Sequence, residues 1–113
     1  MSVVPEQAAF LQDFAKLITY AHDVLGFDIT AGELLRTPEQ QAIYVKAGRS
    51  TTLNSNHLKK LAGDLNFFKN GVLCYDIDIL RPVGEYWQAL SPKNSAGMFW
   101  KSFKDVPHFE RRV

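Results

Sequence analysis

The sequence lacks cysteine pairs and long apolar runs, and each absence excludes a class of protein. Cys74 is the single cysteine among 113 residues, so an internal disulfide and a cysteine-rich metal site are both excluded. Its place in the apolar segment 72–75 predicts a buried, unreactive thiol. No stretch approaches the length of a membrane span, and the N-terminal residues lack a basic start followed by an apolar core. We therefore expect synthesis in the cytoplasm without a signal peptide and no stable membrane association.

A charge excess of either sign is also missing, which bears on the partners of the chain. Lys and Arg number 13 and Asp and Glu 12, leaving a formal net charge of +1 and no reason to expect nucleic acid as a partner. Four basic residues make the C-terminal segment locally positive: Lys101, Lys104, Arg111 and Arg112. They fit a solvated charged rim better than a site for an anionic polymer. With 46% apolar residues and no repeat or linker, residues 1–113 are expected to form one globular, monomeric domain.

Apolar residues at helical spacing predict three helices. The first covers residues 5–25, with Pro5 suited to its first turn and Gly26 to its end. Its apolar stripe comprises Phe10, Phe14, Leu17, Ile18, Ala21 and Leu25. The second begins after Thr37, a capping residue that is followed by a proline. The third covers residues 80–90.

Residues 62–68 alternate between apolar and polar side chains, which is typical of a half-buried strand. An Asn-Gly turn at 70–71 joins them to residues 72–75 and predicts a β-hairpin. The apolar side chains of the first strand then face the core, whereas Asp64 lies on the opposite face.

Two further segments have strand character. One covers residues 27–35 and delivers Arg36 to its end. The other, 106–111, places His108 and Glu110 on one face of a short strand. Both segments extend the predicted hairpin into a sheet.

The remaining residues complete the predicted architecture. Residues 94–97 are expected to form a loop. Three aromatic residues are expected to close the core or, alternatively, to form a shelf for substrate: Phe99, Trp100 and Phe103. Together the elements predict an α+β fold, a small antiparallel sheet with packed helices.

His57, Asp64 and His108 offer two imidazoles and one carboxylate, a set that suits a metal ion. Catalytic zinc characteristically keeps three protein ligands and leaves the fourth position to water, whose pKa falls to about 7. An open zinc site is therefore one interpretation, although other divalent ions accept the same ligands. In the competing interpretation, His57 caps a turn, Asp64 forms a local salt bridge and His108 is an edge-strand residue. In either interpretation, Ser55 is expected to cap a short helical turn that carries His57.

Residues 55–64, Ser-Asn-His-Leu-Lys-Lys-Leu-Ala-Gly-Asp, closely resemble the Ser-x-His-x-x-Gly-x-Ala-x-Asp motif of a family of zinc peptidases. That family contains D-alanyl-D-alanine carboxypeptidases and L-alanyl-D-glutamate endopeptidases, including many phage endolysins. Residues 105–110 resemble its second motif, Asp/Glu-x-x-His, and residues 36–49 resemble its upstream segment with an arginine and glutamines. The resemblance runs from the first predicted strand to the last residue. It implies the DD-peptidase, or hedgehog-like, zinc peptidase fold.

The resemblance also implies a role for each matching residue. His57, Asp64 and His108 correspond to the ligands of a Zn²⁺ cofactor. Asp105 corresponds to the catalytic acid/base, which takes a proton during attack and returns it to the leaving amine. Arg36 corresponds to the arginine beside the substrate, where a guanidinium suits an oxyanion or a carboxylate.

Three points about these roles stay open in the sequence. Arg36 could instead form a structural pair with Glu39 or Asp28. Glu110 is a second candidate for the base, although a contact to a metal ligand suits it better. Lys60 stands where the family has glycine, which predicts a more helical loop between the first two ligands.

The function implied by the resemblance is that of a zinc-dependent peptidase acting on the peptide stems of bacterial peptidoglycan. The expected form is an L-alanyl-D-glutamate endopeptidase that acts as a phage endolysin and reaches the cell wall through a holin-type lesion. One alternative is a D-Ala-D-Ala carboxypeptidase, which needs a pocket for the terminal carboxylate. Another is a non-catalytic module that binds the cell wall on the same scaffold, against which the intact Asp105 argues.

Overall fold

The computed structural model describes residues 3–34, 36–48 and 55–113, and these contain three α-helices and five strands. The helices are α1 (Val4–Asp23), α2 (Pro38–Lys46) and α3 (Ile77–Leu90). The strands are β1 (Asp28–Ala31), β2 (Ala62–Lys69), β3 (Val72–Cys74), β4 (Asn94–Ala96) and β5 (His108–Arg111). Two short 3₁₀ helices cover Asn56–Lys59 and Gly97–Phe99. The predicted α+β class is confirmed. None of the helices in the described ranges is long and apolar enough to cross a membrane.

The five strands form one antiparallel sheet built around β2. Its order is β1, β2, β5, β4, and β3 pairs with the far end of β2. The first part of β2 pairs with β5, and this register places Asp64 directly opposite His108. The predicted hairpin between β2 and β3 is confirmed, and both turn residues, Asn70 and Gly71, have the positive φ that such a turn requires. The register of β2 and β5 therefore brings two candidate ligands together.

Helices α1 and α3 cover one face of this sheet. Phe10 and Phe14 of α1 pack edge-on against Trp87 of α3, which in turn packs against Phe109 of β5. Gly63 allows this close approach, because a Cβ atom there would lie 2.7 Å from the Phe14 ring. With the apolar face filled, the side chains that alternate along β2 and β5 point to the opposite face. That second face carries the candidate site.

Two expectations for the C-terminal half are wrong. Most of the loop expected at 94–97 is strand β4, where the buried Asn94 amide donates to the Trp87 carbonyl oxygen. Phe103 does not close the core, because its side chain is 62% exposed and its backbone has a φ of 52°. Phe99, by contrast, packs against the core as expected.

The N-terminal elements follow the prediction with small differences. Helix α1 ends at Asp23 rather than at residue 25 and buries Phe10, Phe14, Leu17 and Ala21 of the predicted stripe, whereas Ile18 is exposed and Leu25 lies beyond the helix, half-buried. Helix α2 begins at the predicted cap, where the Thr37 hydroxyl accepts a backbone N–H. Cys74 is half-buried against the core rather than fully buried. Leu35, the end of the strand predicted before Arg36, and residues 49–54 lie outside the described residues.

Candidate metal centre

His57 reaches the site from the 3₁₀ helix Asn56–Lys59. The Ser55 hydroxyl accepts the backbone N–H of His57 at 3.2 Å, which confirms the predicted cap. The imidazole is 1% exposed, and its Nδ1 lies 3.2 Å from the carbonyl oxygen of Leu34. Because a carbonyl oxygen only accepts, Nδ1 of the neutral ring carries the proton and Nε2 presents a lone pair to the site.

Asp64 and His108 meet across the paired strands β2 and β5. The segment after β1 holds the Asp64 backbone: Gly32 donates to its carbonyl oxygen at 2.8 Å, and its N–H donates to the Glu33 carbonyl oxygen at 2.9 Å. Nε2 of His108 lies 2.7 Å from Oε1 of Glu110. An ionised carboxylate also only accepts, so Nδ1 of the neutral His108 ring presents its lone pair to the site.

The three predicted ligand atoms form a nearly equilateral triangle. Nε2 of His57 lies 3.1 Å from Nδ1 of His108 and 3.4 Å from Oδ1 of Asp64, and the last two atoms are 3.3 Å apart. Tetrahedral zinc with ligand bonds of about 2.0 to 2.1 Å separates its ligand atoms by about 3.3 to 3.4 Å. The triangle thus has the size that zinc requires. These residues could hold a metal ion.

The pKa values show how strongly this cluster attracts a positive charge. Burial alone would raise the pKa of Asp64, yet hydrogen bonds from His108 and His57 lower it from 3.8 to about 2. Burial alone would lower the pKa of His108, yet hydrogen bonds to Asp64 and Glu110 raise it from 6.5 to about 9. In the absence of a metal ion, His108 therefore keeps an extra proton at neutral pH.

Asp105 and Glu110 lie on different sides of the His108 ring. Oδ2 of Asp105 is 3.9 Å from the inner nitrogen, Nδ1, and its side chain is 47% exposed. Burial, followed by the charge of Asp64, raises the pKa of Asp105. Glu110 instead binds the outer nitrogen, Nε2, and is nearly buried. Of the two carboxylates, Asp105 is therefore the one beside the ligand triangle.

A tight turn places Asp105. Its N–H donates to the Gly97 carbonyl oxygen at 3.1 Å, and its own carbonyl oxygen accepts the His108 N–H at 3.1 Å. A Cβ atom at Gly97 would overlap the Asp105 carbonyl oxygen, so this approach requires glycine. The turn explains why a carboxylate three residues before a ligand can lie next to it.

Arg36 lies on the other side of the site in a set of polar contacts. Its guanidinium donates to the Glu33 carboxylate and, at 2.6 Å, to the amide oxygen of Gln41. The guanidinium carbon also lies 4.6 Å from the centre of the Tyr44 ring. The sequence suggested an ion pair of Arg36 with Glu39 or Asp28, but Arg36 pairs with Glu33 instead. The charge of Arg36 also lowers the pKa of Asp105, which opposes the effect of burial. Arg36 therefore acts electrostatically on the site, and its backbone N–H donates to the carbonyl oxygen of His57 at 3.4 Å.

Lys60 departs from its expected conformation. The predicted extra helicity is wrong: the 3₁₀ helix stops at Lys59, and Lys60 has a φ of 58° and a ψ of 35°. This is the left-handed conformation that glycine adopts most easily. The chain thus keeps the backbone that a glycine would give at this position, although the residue is lysine.

Trp100, which the sequence predicted either to close the core or to form a shelf for substrate, is a neighbour of the site. Its ring lies 5.0 Å from the His108 ring, and its Nε1 donates to the Ser95 hydroxyl at 2.8 Å. Trp100 is half-buried, which is closer to the alternative of an aromatic shelf than to a core role. Its position depends on strand β4, which the sequence pattern did not predict.

Fold and site together define a class: an α+β chain whose polar sheet face carries a three-residue group that could hold a metal ion. No protein-family model matches the chain, and no curated protein matches it. Among solved structures, the chain is similar to the crystal structure of the L-Ala D-Glu endopeptidase ChiX from Serratia marcescens. The two are 28% identical with a TM-score of 0.71, and the match covers 88% of this chain and 78% of that chain. The fold is thus of the kind seen in that peptidase.

Proposed function

We propose that the chain is a zinc-dependent peptidoglycan peptidase that cleaves between L-alanine and D-glutamate in cell-wall stem peptides. The proposal rests on the triangle of ligand atoms from His57, Asp64 and His108, whose sides are close to those of a zinc site. This triangle lies on a fold similar to that of an L-Ala D-Glu endopeptidase. The motif resemblance of residues 55–64 and 105–110 supports the same function.

Zinc suits the donor set of the triangle. Two imidazole nitrogens and one carboxylate oxygen are ligands that zinc accepts in catalytic sites, where three protein ligands leave one position open. His57, Asp64 and His108 would hold the ion. When bound, it supplies Lewis acidity that polarises a carbonyl oxygen and lowers the pKa of water.

Asp105 is the residue to which we assign proton transfer. Its partial exposure lets water and a peptide reach the carboxylate, and its place beside the triangle suits a group that acts on the scissile bond. A raised pKa makes it a stronger base than an ordinary aspartate. The carboxylate would take a proton from the attacking water and return it to the leaving amine.

Arg36 is assigned to electrostatic stabilisation. The contacts to Glu33 and Gln41 hold the guanidinium in one place, so its charge needs no rearrangement when negative charge develops on the substrate. Its side chain is only 12% exposed, which strengthens the effect of that charge.

We also propose that residues 1–113 act as a single monomeric domain that serves as a phage endolysin and reaches the wall through a holin-type lesion. One continuous core cluster supports the single domain. The motif resemblance to a family with many endolysins supports the biological role.

The test is mass spectrometry of the fragments that the zinc-loaded protein releases from purified peptidoglycan. We expect new amino termini at D-glutamate, which a chelator and the Asp105→Asn variant should both abolish. Asp78→Asn is the matched control, because it makes the same substitution at an exposed aspartate of α3 and should leave cleavage intact. Release of D-alanine alone would replace the proposal by a carboxypeptidase. No release from several wall types would indicate a binding module.

A further inference from the structure

The Glu110 carboxylate joins the segments that carry the two histidines of the triangle. Oε1 contacts Nε2 of His108 at 2.7 Å, and Oε2 accepts from Nδ2 of Asn56 at 3.0 Å and from Nε of Arg112 at 2.7 Å. We propose that Glu110 is a positioning residue that keeps the His108 proton on Nε2 and fixes the 3₁₀ helix that carries His57. This inference rests on the proposed metal site.

All the contacts of this carboxylate require an acceptor. Arg112 has only donors, and Asn56 must turn its NH₂ group toward a carboxylate oxygen. A carboxylate engaged in this way accepts from His108 as well, so the ring must donate through Nε2. The lone pair of the neutral ring is then on Nδ1, the atom that lies 3.1 Å from Nε2 of His57.

The same carboxylate links the 3₁₀ helix Asn56–Lys59 to strand β5 through side-chain contacts. Asn56 begins the 3₁₀ helix and precedes His57, whereas His108 begins β5. The Glu110 backbone is itself anchored in the core, where its carbonyl oxygen accepts from Nε1 of Trp87 at 3.2 Å. The Glu110 side chain is only 9% exposed, and its contacts hold His108 and the segment of His57 in fixed positions relative to the core.

Glutamine should fail to replace Glu110 although it has nearly the same shape. Its amide has one oxygen and one NH₂ group. With the NH₂ group toward His108, Nε2 must accept, which moves the ring proton to Nδ1, where it blocks a metal ion. With the NH₂ group toward Asn56 and Arg112, donor faces donor at Arg112 and that contact is lost, while Asn56 must turn its amide round to offer its oxygen. Either orientation disturbs the site.

Zinc affinity, measured by competition with a chelating dye, tests this inference. We expect Glu110→Gln to weaken Zn²⁺ binding by about 10- to 100-fold, in the same range as Glu110→Ala. Glu85→Gln, the same substitution at an exposed glutamate of α3, should leave the affinity unchanged. If Glu110→Gln binds Zn²⁺ like the unmodified protein while Glu110→Ala does not, the role of Glu110 is packing and the inference is wrong.

A second measurement needs no variant and no zinc. The long-range ¹H–¹⁵N NMR spectrum of the unmodified metal-free protein, recorded where the His108 ring is neutral, should place its proton on Nε2. A proton on Nδ1 would overturn the inference even if all variants fold poorly. If the unmodified protein binds no Zn²⁺, the proposed function fails, and the NMR result alone decides the role of Glu110.

Discussion

Changing the pH of the metal-free protein should destabilise it in two separate steps on either side of a plateau. The pKa of Asp64 is lowered from 3.8 to about 2, so the stability it contributes is present above pH 3.8 and is lost as the pH falls through 2. The pKa of His108 is raised from 6.5 to about 9, so its contribution is present below pH 6.5 and is lost as the pH rises through 9. Maximum stability from this pair therefore lies between pH 3.8 and pH 6.5.

The size of the alkaline step follows from the His108 pKa. Each pH unit between the unfolded and folded pKa values corresponds to about 1.4 kcal/mol, so the step is about 3 kcal/mol of unfolding free energy. Both steps remove the contact between Asp64 and His108, the acid step by protonating Asp64 and the alkaline step by deprotonating His108, which also weakens its contact with Glu110. The contribution of the contact between Asp64 and His108 is therefore counted once and not added across the two steps.

Urea unfolding in the presence of a chelator, followed by tryptophan fluorescence from about pH 3 to about pH 10, measures both steps. Zinc should abolish the alkaline step, because a metal ion takes the place of the proton and both histidines bind it in their neutral form. His22→Gln, at an exposed histidine, should retain the alkaline step, whereas His108→Gln should lose it. A flat profile above pH 6.5 in the metal-free protein would refute the reasoning.

Three further predictions concern single residues. Asp105→Asn should retain stoichiometric zinc but lower the rate of peptidoglycan cleavage by about 100-fold or more; full activity in a turbidity assay would contradict the assignment. Lys60→Gly should raise the unfolding free energy by up to about 1 kcal/mol, because relief of the left-handed strain exceeds the extra entropy of glycine in the unfolded chain; a loss of stability in urea would contradict this. Gly63→Ala should destabilise by about 1 to 3 kcal/mol through overlap with Phe14, seen as a lower Tm; an unchanged Tm would show that α1 can move away.

Much of the site could be predicted because a strand has a period of two. Alternation along β5 places His108 and Glu110 on one face, and alternation along β2 turns Asp64 away from the core. The structure confirms both placements, and the contact of 2.7 Å between His108 and Glu110 follows from the first. The convergence of β2 and β5 came from the motif resemblance, since periodicity alone does not determine which strands pair.

Features that depend on tertiary contacts could not be predicted. Strand β4 contains Asn94 and Ser95, residues of low strand propensity, and forms because the edge of β5 is available for pairing. The left-handed backbone of Lys60 could not be predicted either, since lysine rarely adopts this conformation. The contact of Trp100 with His108 depends on β4 and was missed for the same reason.

The position of β5 has a consequence for the order of folding. This strand follows β2 and β4 in the chain yet lies between them in the sheet. Strand β5 is what joins the two halves of the sheet, so we expect the contact between Asp64 and His108, 44 positions apart in the chain, to form late in folding. We therefore expect an ion that needs both residues to bind after the sheet has assembled, so that the rate of metal uptake during refolding reports on insertion of the last strand.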